Sequence, residues 1–147
     1  MRVLVCGGRD FADEAHLFAV LDALHAANPI SWIIHGAARG ADSLAGRWAF
    51  RRDLSRKAYP ADWATHGKAA GMIRNRLMLT DGKPDLVVAF MGGKGTADMV
   101  RLARDARPPV PVIVPCNLCL QPVAVRGHGC SCMHAPCVHD LTRPGYP

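Results

Sequence analysis

Short unbroken apolar runs that alternate with helical stripes constrain this chain more than any other feature. "RVLVC" (2–6), "SWIIH" (31–35), "DLVVAF" (85–90) and "VPVIV" (110–114) are continuous and rich in β-branched residues. A strand wet on one face alternates apolar and polar residues, whereas a continuous run suits a strand buried on both faces of a parallel sheet. A weaker strand, "RKAYP", is predicted at 56–60. Between these runs the period changes. Leu17, Val20, Leu21 and Leu24 predict a helix over 13–27, closed by Asn28-Pro29. Leu44, Ala45, Trp48 and Ala49 mark the inward line of a second helix over 41–53, and Ala69, Ile73 and Leu77 that of a third over 68–80. A fourth begins near Thr96 and ends before Pro108-Pro109. The alternation reads as an α/β, Rossmann-like three-layer domain over 1–114, with a parallel sheet of five strands. Right-handed crossovers then place the strand-to-helix loops along one edge, where ligands bind.

Three of those loops are glycine-rich: "CGGRDF" (6–11), "HGAARGAD" (35–42) and "MGGKGTAD" (91–98). Glycine brings backbone amides close to a ligand, and a helix N-terminus favours an anion, typically phosphate. Gly7, Gly8, Gly36, Gly40, Gly92, Gly93 and Gly95 are therefore candidate ligand contacts, with Lys94 between the last two. Neither the dinucleotide fingerprint G-x-G-x-x-G nor G-x-x-x-x-G-K-[ST] is present. Thr96 is placed to cap its helix or to offer its hydroxyl to a phosphate.

Formal net charge is +6, and the excess lies before Val114, which suits an anionic partner, a nucleotide or a nucleic acid. Arg9, Arg39 and Arg74 are the cations expected at the site, with Arg74 sharing a helix face with Met78. Asp10 and Asp42 end their loops, either to bind ribose hydroxyls or to cap helices. His35 ends a buried strand and reads as a packing histidine. Tyr59, Trp63 and His66 form a polar-tipped aromatic cluster, either a base-stacking loop or a hydrophobic lid. Arg47, Arg51, Arg52, Arg56 and Lys57 crowd the second helix and read as a solvated face. No run of roughly 18 apolar residues suggests a membrane span, and the N-terminus has too short an apolar stretch for a signal peptide. A cytoplasmic location is expected, and a homo-oligomer is compatible with the chain.

Taken together, "VCGGRDF", "HGAARGADSLAGRWA", "YPADW…HGKAAGMIRNRLM" and "VVAFMGGKGTADMV" resemble the YspA-type (cpYpsA-related) branch of the SLOG superfamily, over residues 1–114. The resemblance implies a Rossmann-like domain that binds a nucleotide or nucleotide-derived ligand, as a sensor or processing module. Two relatives in the superfamily extend it. LOG phosphoribohydrolases cut the N-glycosidic bond of nucleoside monophosphates and carry P-G-G-x-G-T-x-x-E with an upstream R-K-x-x-M. Gly92, Gly93, Gly95, Thr96, Arg74 and Met78 match, while Met91, Asn75 and Met99 replace the proline, lysine and catalytic glutamate. A thioether has no ionisable proton, so Met99 cannot serve as an acid or base. Asp98 is one residue away, and about 100° around a helix puts it on another face. The weak catalytic candidates left are Asp10, Asp42 and Asp62. The other relative, DprA, binds single-stranded DNA, and its G-x-A-x-G-I-D resembles residues 36–42. A nucleic-acid partner is the second alternative.

Five of the six cysteines fall in residues 115–147, read as a small Cys/His-rich appendage. In a reducing compartment such crowding points to metal before disulfides. Cys116-x-x-Cys119 has the spacing of a zinc knuckle, and Cys130, Cys132 and Cys137 follow, interleaved with His128, His134 and His139. The ligand set stays open between four cysteines and three cysteines with one histidine.

Overall fold

The computed structural model describes residues 1–115. Five parallel strands form one sheet: β1 (Arg2–Cys6), β2 (Trp32–His35), β3 (Ser55–Ala58), β4 (Leu86–Ala89) and β5 (Val112–Ile113). Their order is β3-β2-β1-β4-β5. The chain thus winds outward from β1 in one direction, then returns to β4 and continues in the other. That reversal between β1 and β4 opens a crevice at the carboxyl ends of the two strands. Here the register pairs Cys6 with Ala89.

The unbroken apolar runs are explained by burial on both faces. On β1, Val3 and Val5 join one core with Leu17, Leu21 and Trp48, from α1 (Glu14–Ala27) and α2 (Ala41–Arg51). Leu4 and Cys6 point the other way, into a core with Met78 of α4 (Ala70–Thr80) and Met99 and Ala103 of α5 (Lys94–Asp105). β3 is exposed along its whole length, as a charged edge strand should be. It occupies 55–58 instead of 56–60, because Tyr59 leaves the strand while still donating its amide to the His35 carbonyl at 2.9 Å.

The third predicted helix departs from expectation in two ways. Its first residues form a 3-10 turn at Gly67–Ala69 that leads into α4, and a separate single turn, α3 (Trp63–His66), precedes the predicted range. Its apolar line also faces outward, with Ile73 and Leu77 44% and 48% exposed. The inward positions belong to Ala70, Asn75 and Met78. Asn75 fixes that rotation, since its Nδ2 donates to the Gly95 carbonyl and to Asp98 Oδ2, both at 3.0 Å. Hydrogen bonding to α5 has therefore overridden the apolar stripe. Tyr59, read with Trp63 and His66 as either a base-stacking loop or a hydrophobic lid, is a core residue whose hydroxyl donates to Asp81 Oδ2 at 2.6 Å. Among the described residues no helix is long and apolar enough to cross a membrane.

Candidate functional site

A cleft of about 840 Å³ lies at the carboxyl edge of β1 and β4, within the range of small-molecule sites. Its lining brings together Gly7, Gly8, Arg9, Asp10, Asp42, Arg74, Asn75 and the run Gly92, Gly93, Lys94, Gly95 and Thr96. The sequence had singled out all of these from three separate loops and one helix.

The loops are locked to one another. Gly8 donates its amide to the Met91 carbonyl at 2.8 Å, and Ala41 donates to the Gly8 carbonyl at 3.3 Å. Gly40 has φ +74, and a Cβ there would stand 2.1 Å from the Gly8 carbonyl oxygen. Gly36 leaves room for Arg74: a Cβ would lie 1.7 Å from Nη1, which donates to the Gly36 carbonyl. Gly36 and Gly40 thus shape the cleft without lining it.

Asp42 lines the cleft and does not cap α2. It sits in the first turn of α2, whose N-cap is Gly40, and accepts from the amides of Gly36 (2.9 Å) and Ala38 (3.3 Å). Arg74 Nη1 lies 3.9 Å from it. Burial pushes the Asp42 carboxyl up, against the pull of the Ala38 amide, the Arg74 cation and the Gly36 amide. Burial likewise lowers Arg74 from its ordinary value. Cys6 closes the floor of the cleft, and burial, reinforced by the charge of Asp42, pushes its thiol up to about 12. It stays protonated near neutrality and is no nucleophile. His35 packs as expected, its Nδ1 accepting from the Ala37 amide at 3.2 Å.

Other candidates fall elsewhere. Arg39 lies outside the cleft wall, where it pairs with Asp10 at 3.4 Å on an open surface. Asp10 stays at the rim and caps nothing; Asp13 caps α1. Asp62 caps α3 by accepting from the Thr65 amide at 3.0 Å, and it does not reach the cleft. The N-cap of α5 is Gly93, with no side-chain cap, so Thr96 lies inside the first turn instead of before it. Cys116, Cys119, Cys130, Cys132 and Cys137 lie outside the described residues. Among the described residues no cluster of His, Cys, Asp or Glu could hold a metal ion.

Sequence reasoning missed Asp98. Met99 is fully buried in the core, as a residue of that helix should be, but Asp98 turns into the cleft wall. Its carboxylate accepts from Asn75 Nδ2 and, at 2.8 Å, from Arg101. The helical rotation was read correctly; the side of α5 that meets the cleft was not. Lys68, from the 3-10 turn, and Gly71 and Met72, from the start of α4, also line the cleft.

The sequence profile of the YspA, cpYpsA-related SLOG family matches residues 1–66. Gene 61 protein of Mycobacterium phage D29 is 38% identical over 117 residues, covering 74% of this chain and 93% of that protein. The chain belongs to the YspA, cpYpsA-related SLOG family. The family match takes in the loops after β1 and β2 and ends before Arg74 and the Gly92–Thr96 turn of this SLOG domain. Among solved structures, UDP-GlcNAc 2-epimerase from Neisseria meningitidis bound to UDP-GlcNAc aligns with a TM-score of 0.47 at 19% identity. That alignment covers 78% of this chain and 32% of the epimerase, so the SLOG domain spans about a third of its length.

Proposed function

We propose that this SLOG domain binds a nucleotide or nucleotide-derived ligand, with the phosphate at the amino end of α5. One observation carries the reading. A Cβ on Gly93 or Gly95 would meet nothing within 4 Å, and Gly95 stands inside the first turn of α5, where glycine costs about 0.5–1 kcal/mol relative to alanine. Neither glycine is required by packing, and both border the cleft. The Thr96 amide already donates to the Gly93 carbonyl at 3.0 Å, which leaves the amides of Lys94 and Gly95 as the helix-start donors, with no side-chain cap on them. Lys94 adds a positive charge beside them.

The test is calorimetry and thermal melting of the full chain against a panel of nucleotides. Gly95→Glu puts a carboxylate into open space at the seat. It should abolish binding without lowering the melting temperature of the unliganded protein, since the glycine it replaces stands in a helical turn. If no nucleotide binds the wild type, the reading fails.

A second reading, hydrolysis of a nucleoside 5′-monophosphate to free base and ribose 5-phosphate, draws support from Asp98. It is a carboxylate on the cleft wall, held by Asn75 and Arg101, where the motif glutamate is absent. Chromatography after incubation decides it: free base that disappears in Asp98→Asn makes the domain an enzyme. Single-stranded DNA binding has less support. Arg47 and Arg51 pair with Glu14, Arg52 with Asp22 and Lys57 with Asp81, while Arg56 donates to the Gly46 carbonyl. The spacing of the segment 115–147 carries a separate proposal, a structural zinc site. Metal analysis of the full chain and of a chain ending at Pro115 tests it, since zinc retained by the shorter chain refutes the assignment.

A further inference from the structure

We propose that the indole of Trp63 seats an aromatic base, so that the ligand is a base-bearing nucleotide and not a plain sugar phosphate. This rests on the phosphate placement above and fixes the opposite end of the ligand. Trp63 opens α3, whose N-cap Asp62 holds the first turn in place, so the ring stands on anchored backbone. It lines the same cleft as the Gly92–Thr96 turn, yet the residue is 49% exposed. A half-open indole on the wall of a cleft offers a face on which a base can stack.

The second observation is what covers it. The Arg9 guanidinium lies over the ring, 5.3 Å from its centroid. Among the described residues no carboxylate stands within ion-pair distance of Arg9, whereas Arg74 already faces Asp42. A cation with no acidic partner, parked on an exposed indole, makes a weak contact that a ligand can displace. A base stacked on the ring takes the place of the guanidinium, whose N–H donors are then available to a phosphate. The cleft volume accommodates both ends of a mononucleotide.

The experiment uses the full chain, titrated with AMP, UMP and ribose 5-phosphate by calorimetry and by tryptophan fluorescence. Nucleotides should bind roughly 5- to 150-fold more tightly than ribose 5-phosphate, the span that stacking on one aromatic side chain supplies. They should also quench fluorescence, and the quench should vanish in Trp63→Phe. Trp63→Ala should erase the preference while ribose 5-phosphate still binds at least as tightly as to the wild type, because Arg9 is then released from the ring. Equal affinity of the wild type for AMP and ribose 5-phosphate overturns the base seat but keeps the phosphate site. A preference that survives in Trp63→Ala does the same. Failure of all three ligands to bind overturns both.

Discussion

Two groups of glycines frame one cleft for opposite reasons. Gly36 and Gly40 are crowded: side chains there would collide with Arg74 or with the Gly8 carbonyl. They let the loops after β1 and β2 interlock. Gly93 and Gly95 are open: nothing lies within 4 Å of where their side chains would be. Packing within the protein explains the first pair, and it does not explain the second. Glycine content at a strand end is therefore two signals superimposed, and packing must be subtracted before a ligand is inferred.

Substitution separates them. Gly40→Ala should have the largest effect, because it combines a positive φ with a 2.1 Å approach to a backbone oxygen that cannot swing aside. Strain and overpacking together predict a loss of about 3–5 kcal/mol in urea unfolding. A loss below about 1 kcal/mol would mean the loops give way easily, and the distinction between crowded and open glycines would collapse.

Gly95→Ala should do the reverse. In the first turn of α5 it should raise stability by about 0.5–1 kcal/mol, since it removes glycine's excess unfolded-state freedom and meets no neighbour. At the same time it should weaken nucleotide binding about tenfold, because the methyl group stands where the phosphate must approach the amides. A variant that is more stable and binds equally well would show that Gly95 serves no ligand.

The same contrast explains what the sequence could show. β1, β2 and β4 were legible because central parallel strands are buried on both faces, and β-branched runs such as "DLVVAF" record that directly, whereas the exposed edge strand β3 left only a weak signal. The gathering of Arg9 and the Gly92–Thr96 turn was legible because the topology sends every β-to-α loop to one edge. The orientation of α4 was not. Its apolar line at Ala69, Ile73 and Leu77 is real, but Asn75 makes two hydrogen bonds to α5 and turns that line to solvent. Pattern arguments weigh apolar positions and have no access to a single polar residue with two partners far along the chain. Asp98 was missed for the related reason that a helix face becomes a cleft wall only once its neighbour is placed.

The smallest predicted effect is a pH dependence that belongs to the crowded side alone. His35 ends β2, and its neutral Nδ1 holds the amide of Ala37, a residue at φ +56. Burial lowers the His35 pKa, helped by the charges of Arg56 and Arg74. The unfolded chain takes up a proton near pH 6.5, and the folded chain does so only at lower pH. The unfolded state thus binds more protons in that interval, and stability rises with pH across it. His35 contributes fully above about pH 6.5, and the contribution is lost as pH falls toward the folded value. One proton limits the slope to about 1.4 kcal/mol per pH unit. Urea unfolding of the unliganded protein between about pH 7.5 and 5.5 should therefore be steeper in the wild type than in His35→Asn, whose amide oxygen can still accept from Ala37. The comparison must be made without ligand, because a phosphate monoester titrates near pH 6 and would add its own slope at the open seat. Equal slopes in the two proteins would mean that a neutral His35 does not hold the interlocked loops in place.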